Sequence, residues 1–266
     1  MFAENTGYDS IRECFGEYSG YIKAVETGNS SDPSMSWRVS SLDKVSLISN
    51  SDARSLSKIG REANFLETEL SYEAIWDAIN SKDPKKFIFT VEFFPQEGKY
   101  YNDGHKDCNV SQGPCVVAEF PRPLKKTKKV KCPKCKKPLT IGVLGRISQL
   151  ADRAFGFVPE KSIPFKTLIP LQEIIAEVLD KGVDTTSVKN EYAKLISKYG
   201  SEFRILIDES LDNLSRGISE DIFTGISRVR SGDVFIEPGY DGQSGKIKLF
   251  DAPLLKLETP QISLFG

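Results

Sequence analysis

Up to about residue 95 the apolar positions come as short runs that end in polar loops. Tyr21-Ile-Lys-Ala-Val25 and Val45-Ser-Leu-Ile-Ser49 read as strands that discharge into the loops Glu26–Pro33 and Asn50–Ser55. Strand ends of this kind are where α/β proteins carry their chemistry. Tyr72, Ile75, Trp76 and Ile79 share one helical face, with Ser71 placed to cap it. Phe87–Phe94 reads as a strand stopped by Pro95. From about 146 the spacing is helical. It predicts helices over Ile147–Arg153, Leu171–Leu179, Ser187–Tyr199 and Ile218–Arg230, punctuated by Pro159, Pro164, Pro170, Gly182, Gly200 and Gly217. Asp233–Glu237 and Gly245–Phe250 predict a closing hairpin around Pro238-Gly-Tyr-Asp-Gly. No internal repeat is visible.

The segment between these regions, 96–145, carries metal-ligand residues. Cys132-Pro-Lys-Cys135 has the spacing of a knuckle whose two thiolates reach one ion, and His105-Lys-Asp-Cys108 can supply two more ligands. Thiolates and an imidazole closed into a tetrahedron suit structural zinc, without the open position that catalysis needs. Cys115 is a rival for the fourth place, and the competing account of the set is buried free thiols beside a surface His. From Arg122 to Lys137 there are nine Lys or Arg and no acid. Lys125, Lys126, Lys128, Lys129 and Lys131 are read as phosphate contacts that position DNA, against the alternative of a solvated linker.

Composition narrows this only slightly. The net charge of −1 makes the basic character local, so a patch rather than a global field would meet a polyanion. Five cysteines, three in the metal cluster, suit a reducing compartment better than a disulfide framework. No apolar run approaches the ~18 residues of a membrane span, and no signal peptide is visible, so a cytoplasmic protein is expected. Gly239-Tyr-Asp-Gly-Gln-Ser-Gly-Lys-Ile lacks the spacing and the hydroxyl of a nucleotide-binding P-loop.

Several strings together resemble endonuclease Q, a DNA-repair nuclease built on a PHP (polymerase and histidinol phosphatase) domain. They include Ala24-Val-Glu-Thr-Gly28, Ser31-Asp-Pro33, Ile48-Ser-Asn-Ser-Asp-Ala53, Lys58-Ile-Gly-Arg-Glu-Ala-Asn64, Glu92–Tyr100, Asp103-Gly-His105, Pro138–Leu144, Leu150–Arg153, Gly200–Asp208 and Pro238–Gly242. The resemblance implies an α/β fold. Residues 1–95 would be the C-terminal part of a distorted (β/α) PHP barrel, 96–145 a zinc-binding module, and 146–258 a mainly helical domain with a β-hairpin. It implies metal-dependent incision of DNA on the 5′ side of deaminated bases (uracil, hypoxanthine) or abasic sites. In that family the barrel gathers catalytic divalent metals, and its first ligands would precede Met1, so the chain reads as an N-terminally truncated homologue. The family's Asp-x-His motif here reads Asp52-Ala-Arg54, and Arg has no lone pair for a cation. Asp52 is then a catalytic remnant or a turn cap. Gly145 stands where the family pattern carries His.

The C-terminal tip Gln261-Ile-Ser-Leu-Phe265 resembles the peptide by which bacterial proteins dock on the DNA sliding clamp. Leu264 and Phe265 would fill an apolar pocket and Gln261 would hydrogen-bond beside it, forming a clamp-binding tail over 259–266. The expected partners are DNA, the clamp and a separately encoded N-terminal PHP half. The alternative to an endonuclease is a non-catalytic, clamp-tethered DNA-binding module, half of a split enzyme, or a gene fragment.

Overall fold

The computed structural model describes residues 8–106, 115–117 (backbone alone), 131–132 and 135–250. Chain contacts divide it into two units, one of residues up to 166 together with 237–246, the other of 167–236 with the residues from 247 on.

The first unit is mixed α/β. It runs through α1 (Ile11–Phe15), β1 (Ala24–Glu26), α2 (Pro33–Ser36), β2 (Ser46–Ile48), β3 (Ala63–Leu66), α3 (Tyr72–Ser81), β4 (Phe87–Glu92), β5 (Asp103–His105), β6 (Cys115–Val117), α4 (Val143–Leu150) and β7 (Phe165–Thr167). β1 and β2 pair in parallel, β3 pairs antiparallel with β4, and β7 adds to β4's other edge. Asn64 sews the two sheets together. Its side-chain oxygen accepts the Ser49 N–H at 2.9 Å and its amide donates to the Ser49 carbonyl at 2.7 Å.

Local chemistry sets the short elements. Asp32 caps α2 through the Met35 N–H at 2.8 Å, and Ser71 caps α3 through Ala74. Met35, Tyr101 and Ile147 form one apolar cluster, and Val39, Leu42 and Val45 another. The Ala151-Asp-Arg153 corner clamps the 40–43 segment. Asp152 accepts the Ser40 N–H at 2.9 Å, and Arg153 grips Asp43 bidentately at 2.8 and 2.5 Å.

The second unit is helical: α5 (Leu171–Val178), α6 (Thr186–Tyr199), α7 (Leu211–Gly217) and α8 (Glu220–Ser231). Leu171, Ile174, Ile175, Val188, Leu195, Ile205, Leu214, Ile222 and Ile226 are its buried core. Gly225 lets α8 close on α5, since a Cβ there would lie 2.8 Å from Ile174. Arg204–Asp208 makes a wide π turn. The Arg230 guanidinium satisfies its loosened carbonyls, donating to Ile205 O at 2.7 Å and Leu206 O at 3.1 Å. β8 (Phe235–Glu237) and β9 (Lys246–Lys248) pair with each other. No helix among the described residues is long and apolar enough to cross a membrane.

Two local expectations shift. Tyr21 closes a 3-10 turn over Gly16–Tyr21, and the strand begins only at Ala24. The helix expected over 147–153 starts at Val143 and ends at Leu150, because Gly145 is accommodated inside it and Ala151 turns extended.

Candidate functional site

Main-chain bonds turn the described chain back on itself around Cys132 and Cys135. Cys132 N–H donates to Lys137 O at 2.8 Å, Lys136 N–H to Cys132 O at 2.9 Å, and Cys135 N–H to the Cys132 sulfur at 3.4 Å. Lys136 takes the left-handed conformation (φ 64°) that turns the chain back. β5 brings His105 to this knuckle, held by the reciprocal Gly104–Thr140 bonds at 3.0 and 2.9 Å. The ligand atoms of His105, Cys132 and Cys135 lie within 4.8 Å of one another, with Nε2 2.9 Å from the Cys135 sulfur. Zinc bonds of about 2.0–2.3 Å opened at a tetrahedral angle place ligand atoms roughly 3.5–3.8 Å apart; the three donors are close enough to share one ion, with the His105–Cys135 pair at hydrogen-bond distance, closer than that spacing. His105 and Cys132 are buried. The β5–β6 register sets Cys115 directly across from His105. Cys108 lies outside the described residues.

A carboxylate from the returning segment holds this centre. Asp241 accepts the Lys106 N–H at 2.8 Å through one oxygen and the Thr140 hydroxyl at 2.6 Å through the other. Asp103 accepts the Gly142 N–H at 2.6 Å. Its carboxylate occupies the space over Gly145, where a Cβ would lie 2.1 Å from an oxygen. Glycine at 145 is thus matched to the Asp103 contact. Lys131, beside Cys132, is exposed, whereas Lys125, Lys126, Lys128 and Lys129 lie outside the described residues, as do Gln261, Leu264 and Phe265.

Asp52 lies in the loop after β2. It has a positive φ of 41°, and its side chain is 74% exposed, with the Arg54 guanidinium 3.9 Å away. Among the described residues, His105, Cys132 and Cys135 form the one group of three or more such side chains close enough to hold a metal. Asp52 belongs to no such group, and a fixed guanidinium beside it opposes a cation.

Buried acids gather elsewhere in the unit, and reading the sequence did not single them out. Glu92 ends β4 fully buried, its carboxylate accepting from Thr27 Oγ1 at 2.8 Å and Thr90 Oγ1 at 2.5 Å. Burial pushes its pKa up to about 8 against those hydrogen bonds, with nearby Asp32 and Glu62 adding to the rise. Burial likewise lifts Glu62 to about 7, with Glu26 adding a smaller push. Both groups keep a proton in the fold that the unfolded chain releases. Stability should fall as pH rises from about 4.5 to about 8 and level off above. Glu92→Gln should flatten that fall and gain on the order of 3 kcal/mol at pH ~9 relative to pH ~5. Urea unfolding at several pH values measures it, and an unchanged pH slope would count against the buried proton.

The same loop lines an open cleft of about 520 Å³. Asp52, Arg54, Lys58, Arg61 and Glu62 form part of its wall, with Phe93, Gly98 and Gly245 from other segments. Arg61 stacks on Phe93, 5.5 Å from the ring centroid.

The described chain thus combines an α/β unit, bearing a His/Cys/Cys group close enough to hold a metal ion, with a helical unit. Comparison with known proteins gives the class a particular form. The structure is similar to the lesion-specific endonuclease Q of Pyrococcus furiosus, with a TM-score of 0.77 and 28% identity, covering 93% of this chain and 61% of that one. It is also similar to endonuclease Q in complex with a 27-mer duplex that has an abasic lesion at the active site (TM-score 0.73, 29% identity, 92% and 60% covered). The structural neighbours are therefore those that the sequence strings point to. Residues 170–233 match the MJ0043 C-terminal domain family. MJ0043 of Methanocaldococcus jannaschii is 32% identical over 248 residues, and YqxK of Bacillus subtilis 31% over 229. The chain covers 30% and 53% of those two relatives.

Proposed function

We propose that this chain handles lesion-bearing DNA as a relative of endonuclease Q and that, as a single chain, it binds DNA without cutting it. The observation that carries the reading is Asp52 and Arg54, exposed and 3.9 Å apart where the family's Asp-x-His would hold a metal. Support for DNA comes from the likeness to an endonuclease Q seen on an abasic duplex. The His105/Cys132/Cys135 set supports a structural zinc, completed by Cys115 or Cys108. The lysines 125, 126, 128, 129 and 131 would add phosphate contacts beside it. Gln261, Leu264 and Phe265 would tether the chain to the sliding clamp, and a polypeptide carrying the first PHP strands would complete a catalytic site. In intact relatives, a catalytic metal would activate water to attack the phosphodiester.

The test pairs incision with binding on duplexes carrying uracil, hypoxanthine or an abasic site, with magnesium or manganese supplied. Binding should weaken at least about tenfold between roughly 50 and 200 mM salt, with no product on the 5′ side of the lesion. Cutting there by the purified chain would overturn the non-catalytic reading. A chain that binds no DNA would overturn the whole proposal.

A further inference from the structure

α3 leaves much of its apolar stripe in solvent. Tyr72, Ile75, Trp76 and Ile79 recur at the i, i+3, i+4, i+7 spacing that puts them on one side of the helix. The inward side is marked by Ala78, 0% exposed, whereas Tyr72 is 77% and Trp76 44% exposed. Ile75 and Ile79 are half-buried between the two sides. Leu70, just ahead of the Ser71 cap, is 98% exposed. Single exposed apolar residues are ordinary, but two aromatics, two isoleucines and a leucine along one short helix make a patch of the kind that marks an interface. Charge along this helix is polarised as well. Glu67, Glu69 and Glu73 stand exposed around its start, and Lys85 stands exposed beyond its end. Lys82 and Lys86 at that end are engaged within the chain, with the Asp43 carbonyl at 2.8 Å and the Asp77 carboxylate at 2.5 Å.

We infer that α3 is the seam of a two-fold dimer, the stripe being covered by a second copy of this chain. The stripe is self-complementary in an antiparallel pairing whose axis passes between Ile75 and Trp76. Tyr72 then meets the partner's Ile79, and Ile75 meets the partner's Trp76. The same pairing brings the acidic start of each helix within reach of Lys85 at the end of the other, and it opposes the two helix dipoles. A parallel pairing would set acid beside acid. A purely apolar partner would use the stripe and leave the charge polarity unmatched, whereas a second copy uses both. Aromatic side chains contribute on the order of 150–250 Å² each when covered, so the seam falls at the small end of specific interfaces. It should therefore dissociate in the roughly micromolar range. The inference stands apart from the DNA-handling reading above.

The experiment is sedimentation velocity on the full chain, from about 1 to 200 µM, where the mass should pass from one chain to two. Trp76 should report the same step, its emission moving to the blue as the exposed indole is covered. Trp37, only 8% exposed already, should stay constant. Tyr72→Glu with Trp76→Glu should weaken the dimer at least about a hundredfold, leaving a monomer across the range. Glu69→Lys should weaken it about tenfold, and Glu69→Lys with Lys85→Glu should restore it, because the exchanged charges again face each other across the axis. This charge pair keeps the test decisive if the double glutamate variant misfolds. A wild-type chain that stays monomeric throughout would overturn the inference and leave the stripe to a different partner. A folded double glutamate variant that still dimerises would overturn it too, since the seam would lie elsewhere. Glu69→Lys dimerising as tightly as the wild type would overturn the antiparallel pairing on which the inference is built. Binding of lesion DNA per chain should be the same in the monomeric variant, so this inference and the proposed function fail separately.

Discussion

Replacing Cys132 with Ser should abolish stoichiometric zinc binding and unfold the region around the knuckle, a larger effect than any surface substitution in the chain. Cys132 is 0% exposed, and its sulfur already receives the Cys135 N–H. The strands around it are only three residues long, β5 and β6 forming a two-stranded sheet. So small an element cannot bury enough apolar area to hold itself, and metal ligation then serves as its core. Structural zinc contributes roughly 10 kcal/mol or more in isolated finger peptides. In a larger unit, part of that should appear as lost cooperativity of the surrounding segment. Metal analysis should find about one zinc per wild-type chain and almost none in Cys132→Ser. Hydrogen exchange should show lost protection over residues 99–106 and 135–142, with the helical unit's core unchanged. Full zinc content and unchanged melting in the variant would refute the metal centre. Comparing Cys108→Ser with Cys115→Ser then identifies the fourth ligand, the ladder position opposite His105 favouring Cys115.

Features written within a few residues were legible in the sequence, and those assembled by topology were not. The cap and extent of α3, the body of β4, and helices α5, α6 and α8 follow from local periodicity, and the structure places them within a few residues of expectation; the expected apolar face of α3 differs, since Tyr72 and Trp76 are exposed and Ala78 is the residue buried. The knuckle was legible because its two cysteines are three apart and His105 stands in a quotable string. α4 starts at Val143, ahead of the expected Ile147, because Gly142 serves as its N-cap and Gly145 makes room for the Asp103 carboxylate, a contact made by topology. The π turn at 204–208 went unread, since its carbonyls are satisfied by Arg230 from another helix. Glu62 and Glu92 went unread for a related reason. Each is an ordinary charged residue in the sequence, and only burial beside the other, with Asp32 and Glu26 near, turns them into carboxyls that hold their protons. Periodicity carries no information on which strand ends meet.

Gly245→Ala should cost on the order of 3 kcal/mol or more, because the new methyl would overlap backbone that cannot move aside. A Cβ at 245 would lie 2.1 Å from Gln96 O, 2.7 Å from Glu237 O and 2.7 Å from Gly239 N. The 239–245 segment is strapped against 96–102 by main-chain bonds: Gly239 N–H to Gln96 O at 2.8 Å, Asn102 N–H to Gly239 O at 2.9 Å, Gly242 N–H to Lys99 O at 2.8 Å and Gly245 N–H to Glu97 O at 3.1 Å. Lifting the strap by the ångström or so that the methyl demands would strain all four together. Gly242→Ala provides the contrast. There the obstacle is a positive φ of 85°, with only an ordinary 3.7 Å contact to the Tyr100 hydroxyl, which should cost only about 1 kcal/mol. The strap also carries Asp241, whose carboxylate fixes Lys106 and Thr140 beside the metal knuckle. Gly245→Ala should therefore weaken zinc retention and DNA binding together, at temperatures where Gly242→Ala retains both. Equal melting of the two variants would show that the strap yields. Loss of zinc without loss of DNA binding would show that DNA is held independently of the metal centre.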